Sequence, residues 1–200
     1  MKPSYTPTLD PKADYHTVHG APVYLLDPDR TPILSADIYE HGRGAMRYNG
    51  APRVSVLAHS ALVALLAERA GEGVFCVRDC AVHDLHEVYV GEVVSGSKVY
   101  LRGFRDLEST WERTIRRAVG IGIPLPPRDK AVVKHYDLRA LVVEMTWYKH
   151  PHLKLLNLPP ATPSEMRAAW MTLPRVPGMD WLNWRRLCGW LPRLRLMTRL

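Results

Sequence analysis

Apolar positions recur with helical spacing from residue 54 to 71. In "VSVLAHSALVALLAERAG", Ser55 stands where a helix is capped and Gly71 where one stops. On a wheel centred on His59, Val56, Leu62, Val63, Leu66, Ala67 and Ala70 surround the histidine, and Glu68 points away. His59 therefore faces inward. The same period continues in "VFCVRDCAVHDLHEVY" (74–89). Read as one helix, it puts His83, Asp84 and Glu87 on a face with Cys76, Val77, Cys80 and Ala81, and Arg78 and Leu85 opposite. "STWERTIRRAVG" (109–120) predicts a third helix, ended by Gly120 and Gly122, and "IPLPPR" a linker. "DKAVVKHYDLRALVVEMTW" (129–147) predicts a fourth, with Asp137 beside Val133, Leu141 and Glu144.

Elsewhere the period is lost. Residues 1–22 hold Pro3, Pro7, Pro11 and Pro22 among polar residues and read as an extended leader. "VYLLDPDRTPIL" (23–34) suits a short β-hairpin around its "DPDRTP" turn. Ser35 is placed to cap a short helix through "ADIYEHG", and 43–53 read as a loop. Beyond 148, Pro151, Pro159, Pro160, Pro163, Pro174 and Pro177 interrupt the chain, with one short helix at "PSEMRAAWM". The expected fold class is all-α: a helical bundle at 23–147, preceded by the leader. A partly irregular, Pro-rich extension at 148–200 packs on that bundle or on a neighbouring subunit.

The totals narrow this picture. Two hundred residues with 46% hydrophobic content suit one compact domain with an appended tail. A formal net charge of +7 and a pI near 9.5 favour anionic partners. Cys76, Cys80 and Cys188 form no C-x-x-C pair, which argues against a disulfide framework and a structural zinc site. The first residues, "MKPSYTPTLDPKADYH", lack the apolar stretch of a signal peptide. No apolar run approaches the ~18 residues of a membrane span. The expected setting is cytoplasmic.

The chemistry lies in four inward or mixed-face positions. His59, the His83–Asp84 pair and Asp137 come from separate helices. Singly, each has a plain structural reading: a core histidine, a chance dipeptide, an aspartate paired with Lys134 or Lys130. Together they concentrate two carboxylates and two imidazoles in the interior, and those helix faces carry no arginine. A buried carboxylate without a counter-charge costs several kcal/mol, a large part of a domain's stability. A divalent cation supplies the charge. The N/O donor set suits manganese, cobalt, iron, nickel or zinc and tolerates magnesium. Glu144 reads as structural, with Arg139 or the Arg47 loop as its partner.

This ordered set resembles the HD-domain metal-dependent phosphohydrolases, and most closely their bacterial and phage 5′-deoxynucleotidase branch. The matching elements are Arg47-Tyr48, "SVLAH" at 55–59, "HDLHEVYVGE" at 83–92 and "KHYDLRALVVE" at 134–144. They span roughly residues 23–147. The family carries Asp where this chain has Glu92, and more often Trp or Phe where it has Tyr48. The resemblance implies a divalent metal held by His59, His83, Asp84 and Asp137, whose bound water attacks phosphorus. It implies that Glu92 protonates the leaving oxygen and that Glu87 orients the water or a sugar hydroxyl. Arg47 would clamp phosphate, Lys98 would be a second phosphate contact, and Tyr48 would pack on the sugar or base.

The implied substrate is a nucleotide, first a deoxynucleoside monophosphate and second a deoxynucleoside triphosphate cleaved to tripolyphosphate. The expected assembly is a homo-oligomer. A reading of another class rests on "DWLNWRRLCGWLPRLRL", whose Trp, Leu and Arg residues suit an anionic membrane surface or nucleic acid. Gly189 and Pro192 interrupt a continuous helix there, which favours a docked terminal segment over a membrane or nucleic-acid partner.

Overall fold

The structure is a computed structural model and describes residues 9–50, 53–122, 127–155, 157–173 and 179–197. The chain is mostly helical, with a short antiparallel hairpin near the N-terminus. The hairpin is β1 (Tyr15–His16) with β2 (Pro22–Val23), in the register Tyr15↔Val23 and His16↔Pro22. It therefore precedes the "DPDRTP" segment. That segment instead makes a 3-10 turn at Pro28–Arg30, where Pro28 presets φ for the tight turn. The hairpin joins the end of the expected leader to the start of the bundle. Residues 1–8 of the leader lie outside the described residues.

The helices are α1 (Ser35–Gly44), α2 (Val56–Arg69), α3 (Val74–Val82), α4 (Glu87–Val90), α5 (Ser95–Lys98), α6 (Phe104–Val119), α7 (Pro127–Trp147), α8 (Pro163–Thr172), α9 (Met179–Trp190) and α10 (Pro192–Met197). Ser35 is the first residue of α1, with Leu34 at the cap position. Ser55 caps α2 as expected, its hydroxyl accepting from the Ala58 N–H. The third predicted helix begins earlier than its sequence pattern, because Gly103 takes a left-handed conformation and starts α6 at Phe104. Most of the "IPLPPR" linker lies outside the described residues.

Buried residues run without interruption from Val56 to Ala67, so α2 is enclosed on every side. Helices α1, α3, α7, α8 and α9 pack around it. A helix apolar all round has no solvent face to offer and belongs at the centre. Helices α8 and α9 come from the C-terminal extension, which thus docks on its own chain. Leu173, Leu187, Leu191 and Leu194 are fully buried there. No helix among the described residues is long and apolar enough to cross a membrane.

Residues 74–89 do not form one helix. α3 stops at Val82, and residues 83–86 turn more tightly. The N–H groups of Leu85, Glu87 and Val88 reach back three residues, to Val82, Asp84 and Leu85. Leu85, expected to face outward, is fully buried as a result. α4 then ends at Gly91, whose φ of 81° and ψ of 151° suit glycine, and the chain turns there ahead of Glu92.

Candidate metal centre

His59 sits in the first turns of α2, His83 and Asp84 at the break after α3, and Asp137 midway along α7. Their ligand atoms converge on one point. His59 Nε2 lies 3.3 Å from His83 Nε2, 3.4 Å from Asp84 Oδ2 and 3.3 Å from Asp137 Oδ1. His83 Nε2 lies 3.1 Å from Asp84 Oδ2. Atoms about 2.1 Å from a common cation stand roughly 3.0–3.4 Å apart in octahedral or tetrahedral order. The four spacings fall within that range, and all four ligand atoms lie within 4.8 Å of one another.

The other ring nitrogens fix which atoms face the centre. His59 Nδ1 lies 2.7 Å from Glu144 Oε1 and His83 Nδ1 lies 2.8 Å from the Cys80 carbonyl. A carbonyl only accepts, so His83 Nδ1 donates. The Glu144 carboxylate claims the His59 Nδ1 proton in the same way. Both Nε2 lone pairs then point inward, the arrangement found in metal-ligating histidines. Burial and Arg47 disfavour a charged His59, but Glu144 and Asp137 outweigh them and raise its pKa. Burial disfavours a charged His83, but Asp84 and Asp137 raise its pKa. Burial alone would raise the Asp84 carboxyl; His83, Arg47 and His59 instead hold it well below the ordinary range. Asp137 is lowered in the same way, burial being outweighed by His59 and His83.

Glu144 was legible as a helix residue but not as part of the site. It is fully buried, orients His59 and accepts a hydrogen bond from the Tyr48 hydroxyl. Arg139 pairs with Glu165, not with Glu144. Tyr48 thus spends its hydroxyl on Glu144, and its ring lies 5.3 Å from the Arg47 guanidinium carbon. Tyr48 and Asn49 both have positive φ, which turns the loop inward. Arg47 reaches Asp84 Oδ2 at 2.9 Å and Glu144 Oε2 at 3.9 Å. The counter-charge missing from the helix faces comes in part from this loop. Arg47 Nε, the atom nearest Glu144, is buried without a hydrogen-bond partner.

Glu87 and Glu92 lie on the Arg47 side. Burial pushes the Glu87 carboxyl up to about 9, with the Asp84 charge adding to it. Burial also raises Glu92. Each has a buried Oε2 without a hydrogen-bond partner. Lys98 is not a free loop lysine: its ammonium lies 2.6 Å from Glu108 Oε1 and 3.7 Å from Glu87 Oε1. His86, Glu87 and Glu108 make a second group of possible ligands, but Lys98 already provides the positive charge there. Glu87 and Gly91 also border an open groove of about 530 Å³, together with Tyr15, His41 and Tyr89.

No model of a known protein family matches the chain, and no curated protein matches it.

Proposed function

We propose that the chain is a divalent-metal phosphohydrolase acting on nucleotides, of the HD-domain type that its motifs resemble. The observation that carries this reading is the gathering of two Nε2 atoms and two carboxylate oxygens, all within 4.8 Å of one another and four of the contacts at 3.1–3.4 Å, beside an arginine. Phosphate-monoester hydrolysis is so slow uncatalysed that acid–base groups, at about 10²–10⁴ each, fall far short of enzymatic rates. A cation bound by His59, His83, Asp84 and Asp137 supplies positive charge at phosphorus and a water acidic enough to attack near neutral pH. Manganese, cobalt, iron, nickel, zinc and magnesium all fit the donor set.

The chain's own residues supply the rest. Arg47, whose fork matches two phosphate oxygens, exchanges its hold on Asp84 for the substrate. The water oxygen joins phosphorus, the bond from phosphorus to the sugar oxygen breaks, and that oxygen takes a proton. Glu92 and Glu87 retain protons at higher pH than ordinary glutamates, which suits one of them to donate it. Glu92 has the position implied by the resemblance. Glu144 holds the His59 tautomer.

The test is a screen of the purified chain with manganese, cobalt or magnesium against nucleoside mono- and triphosphates of both sugars. Orthophosphate from a deoxynucleoside monophosphate is the first expectation. Tripolyphosphate from a triphosphate is the second. Asp84→Asn should abolish both metal binding and turnover while leaving the helical circular-dichroism spectrum intact. A fully active Asp84→Asn variant would falsify the proposal.

A further inference from the structure

Three consecutive apolar side chains stand in solvent between α5 and α6. Val99 is 63% exposed, Tyr100 86% and Leu101 46%. An exposed apolar run of this kind marks a surface that a partner covers. The run is held in place by its own backbone. The N–H groups of Tyr100, Leu101 and Phe104 reach back three residues, to the carbonyls of Ser97, Lys98 and Leu101. Gly103, with a φ of 78°, then turns the chain into α6. The three side chains are thus presented on ordered turns.

Charge beside the run is the second observation. Arg102, Arg105, Arg113 and Arg117 are exposed and follow the outer side of the turn and of α6. The inner side of α6 buries Trp111, Thr114, Ile115 and Val119. Sixteen residues give this helix a length of about 24 Å. Arg113 donates to the hydroxyls of Ser109 and Thr110, which leave its charge uncompensated. Arg117 reaches Asp29 at 2.8 Å, but both side chains are more than half exposed, and such a pair opens at little cost. Of the carboxylates at 99–119, Glu108 is held by Lys98, Glu112 is half-buried on the cleft side and Asp106 alone is exposed.

We infer that this face docks on an anionic phospholipid surface. Val99, Tyr100 and Leu101 enter the interfacial region, and the arginines meet lipid phosphates, with α6 lying along the surface. Val99 and Leu101 gain from hydrocarbon but offer no ring on which a base could stack, which separates this face from a nucleic-acid groove. A second copy packed face to face in two-fold order would set the arginines against themselves. A basic residue near an anionic leaflet contributes about fivefold in affinity, so apolar run and arginines together supply two signals where one is marginal. The face lies apart from the C-terminal Trp- and Arg-rich segment, which is folded onto α2. The inference stands independently of the phosphohydrolase reading.

The experiment is co-sedimentation of the full chain, at fixed ionic strength, with vesicles of phosphatidylcholine containing about one-third phosphatidylserine, and with vesicles of phosphatidylcholine alone. The anionic vesicles should bind the chain about tenfold more tightly or better. Tyr100→Ser with Leu101→Ser should weaken that binding about tenfold. Arg102→Ser with Arg105→Ser should weaken it about twentyfold, the effect of two basic residues. Arg167→Ser with Arg185→Ser removes the same net charge from exposed positions on α8 and α9 and should change binding less than about threefold. All six positions are exposed, so the helical circular-dichroism spectrum should be unchanged in each variant. Equal effects of the two arginine pairs overturn the inference by reducing it to the general pull of net charge. Equal binding to the two kinds of vesicle, or binding to neither, overturns it as well. A chain that ignores vesicles, and whose oligomer is broken by Tyr100→Ser with Leu101→Ser in sedimentation without lipid, overturns it by making the face a subunit contact.

Discussion

At the residue scale, the site is decided by which atom of each histidine holds a proton. His59 and His83 are identical in sequence terms to any inward imidazole. What marks them as candidate ligands is an acceptor behind each ring: the Glu144 carboxylate for one and the Cys80 carbonyl for the other. A carboxylate also increases the basicity of the ring it holds. Glu144→Gln preserves shape and can still accept from His59, but removes that charge. It should lower metal affinity about 10–100-fold, the usual cost of losing such a supporting group. Titration with cobalt or manganese measures this. An unchanged affinity would show that Glu144 only fills space.

At the element scale, the break after α3 matters most. A continuous helix would have kept Leu85 on the outer face. Bonds reaching back three residues swing Leu85 into the core while Asp84 stays with His83. Gly91 makes the next change of direction and aims the chain that bears Glu92. A methyl group there meets no atom within 4 Å, so the cost of Gly91→Ala is backbone strain alone, of order 1–3 kcal/mol. The expected outcome is a lower melting temperature and slower turnover with metal affinity retained, because His59, His83 and Asp84 precede the turn and Asp137 is held separately on α7. Loss of metal binding in this variant would mean that the turn supports the cluster itself.

At the scale of the whole molecule, α2 is the post on which both the site and the C-terminal extension are mounted. The extension covers α2 through α8 and α9, so the arginines of "DWLNWRRLCGWLPRLRL" ride on a docked helix pair. A cation at the His59–His83–Asp84–Asp137 cluster would also couple to global stability. In the metal-free chain, His59 and His83 have raised pKa values. Their contribution is fully present below the unfolded histidine value of about 6.5 and is lost as pH rises through the folded values. A cation needs both rings neutral, so its stabilisation runs the other way and grows with pH. The melting temperature with manganese minus that in EDTA should therefore widen between about pH 6 and 8. A constant or shrinking difference would place the metal elsewhere.

By itself, the sequence determined the main helices of the bundle and the four candidate ligand positions, because both follow local rules. The period of apolar residues marks a buried helix face, and His59, His83, Asp84 and Asp137 are ionisable groups lying on such faces. The Arg47 loop was legible too, from its residues and its place before α2. The partners of these groups came only with the tertiary structure. Glu144 meets His59 across 85 residues of chain, and Arg116 meets Asp79 across 37. Lys98, the last residue of α5, closes on Glu108 of α6. Helical spacing can place a side chain inside, but it cannot say what stands opposite. A carboxylate behind the His59 ring or a lysine beside two glutamates exists only once separate helices have packed.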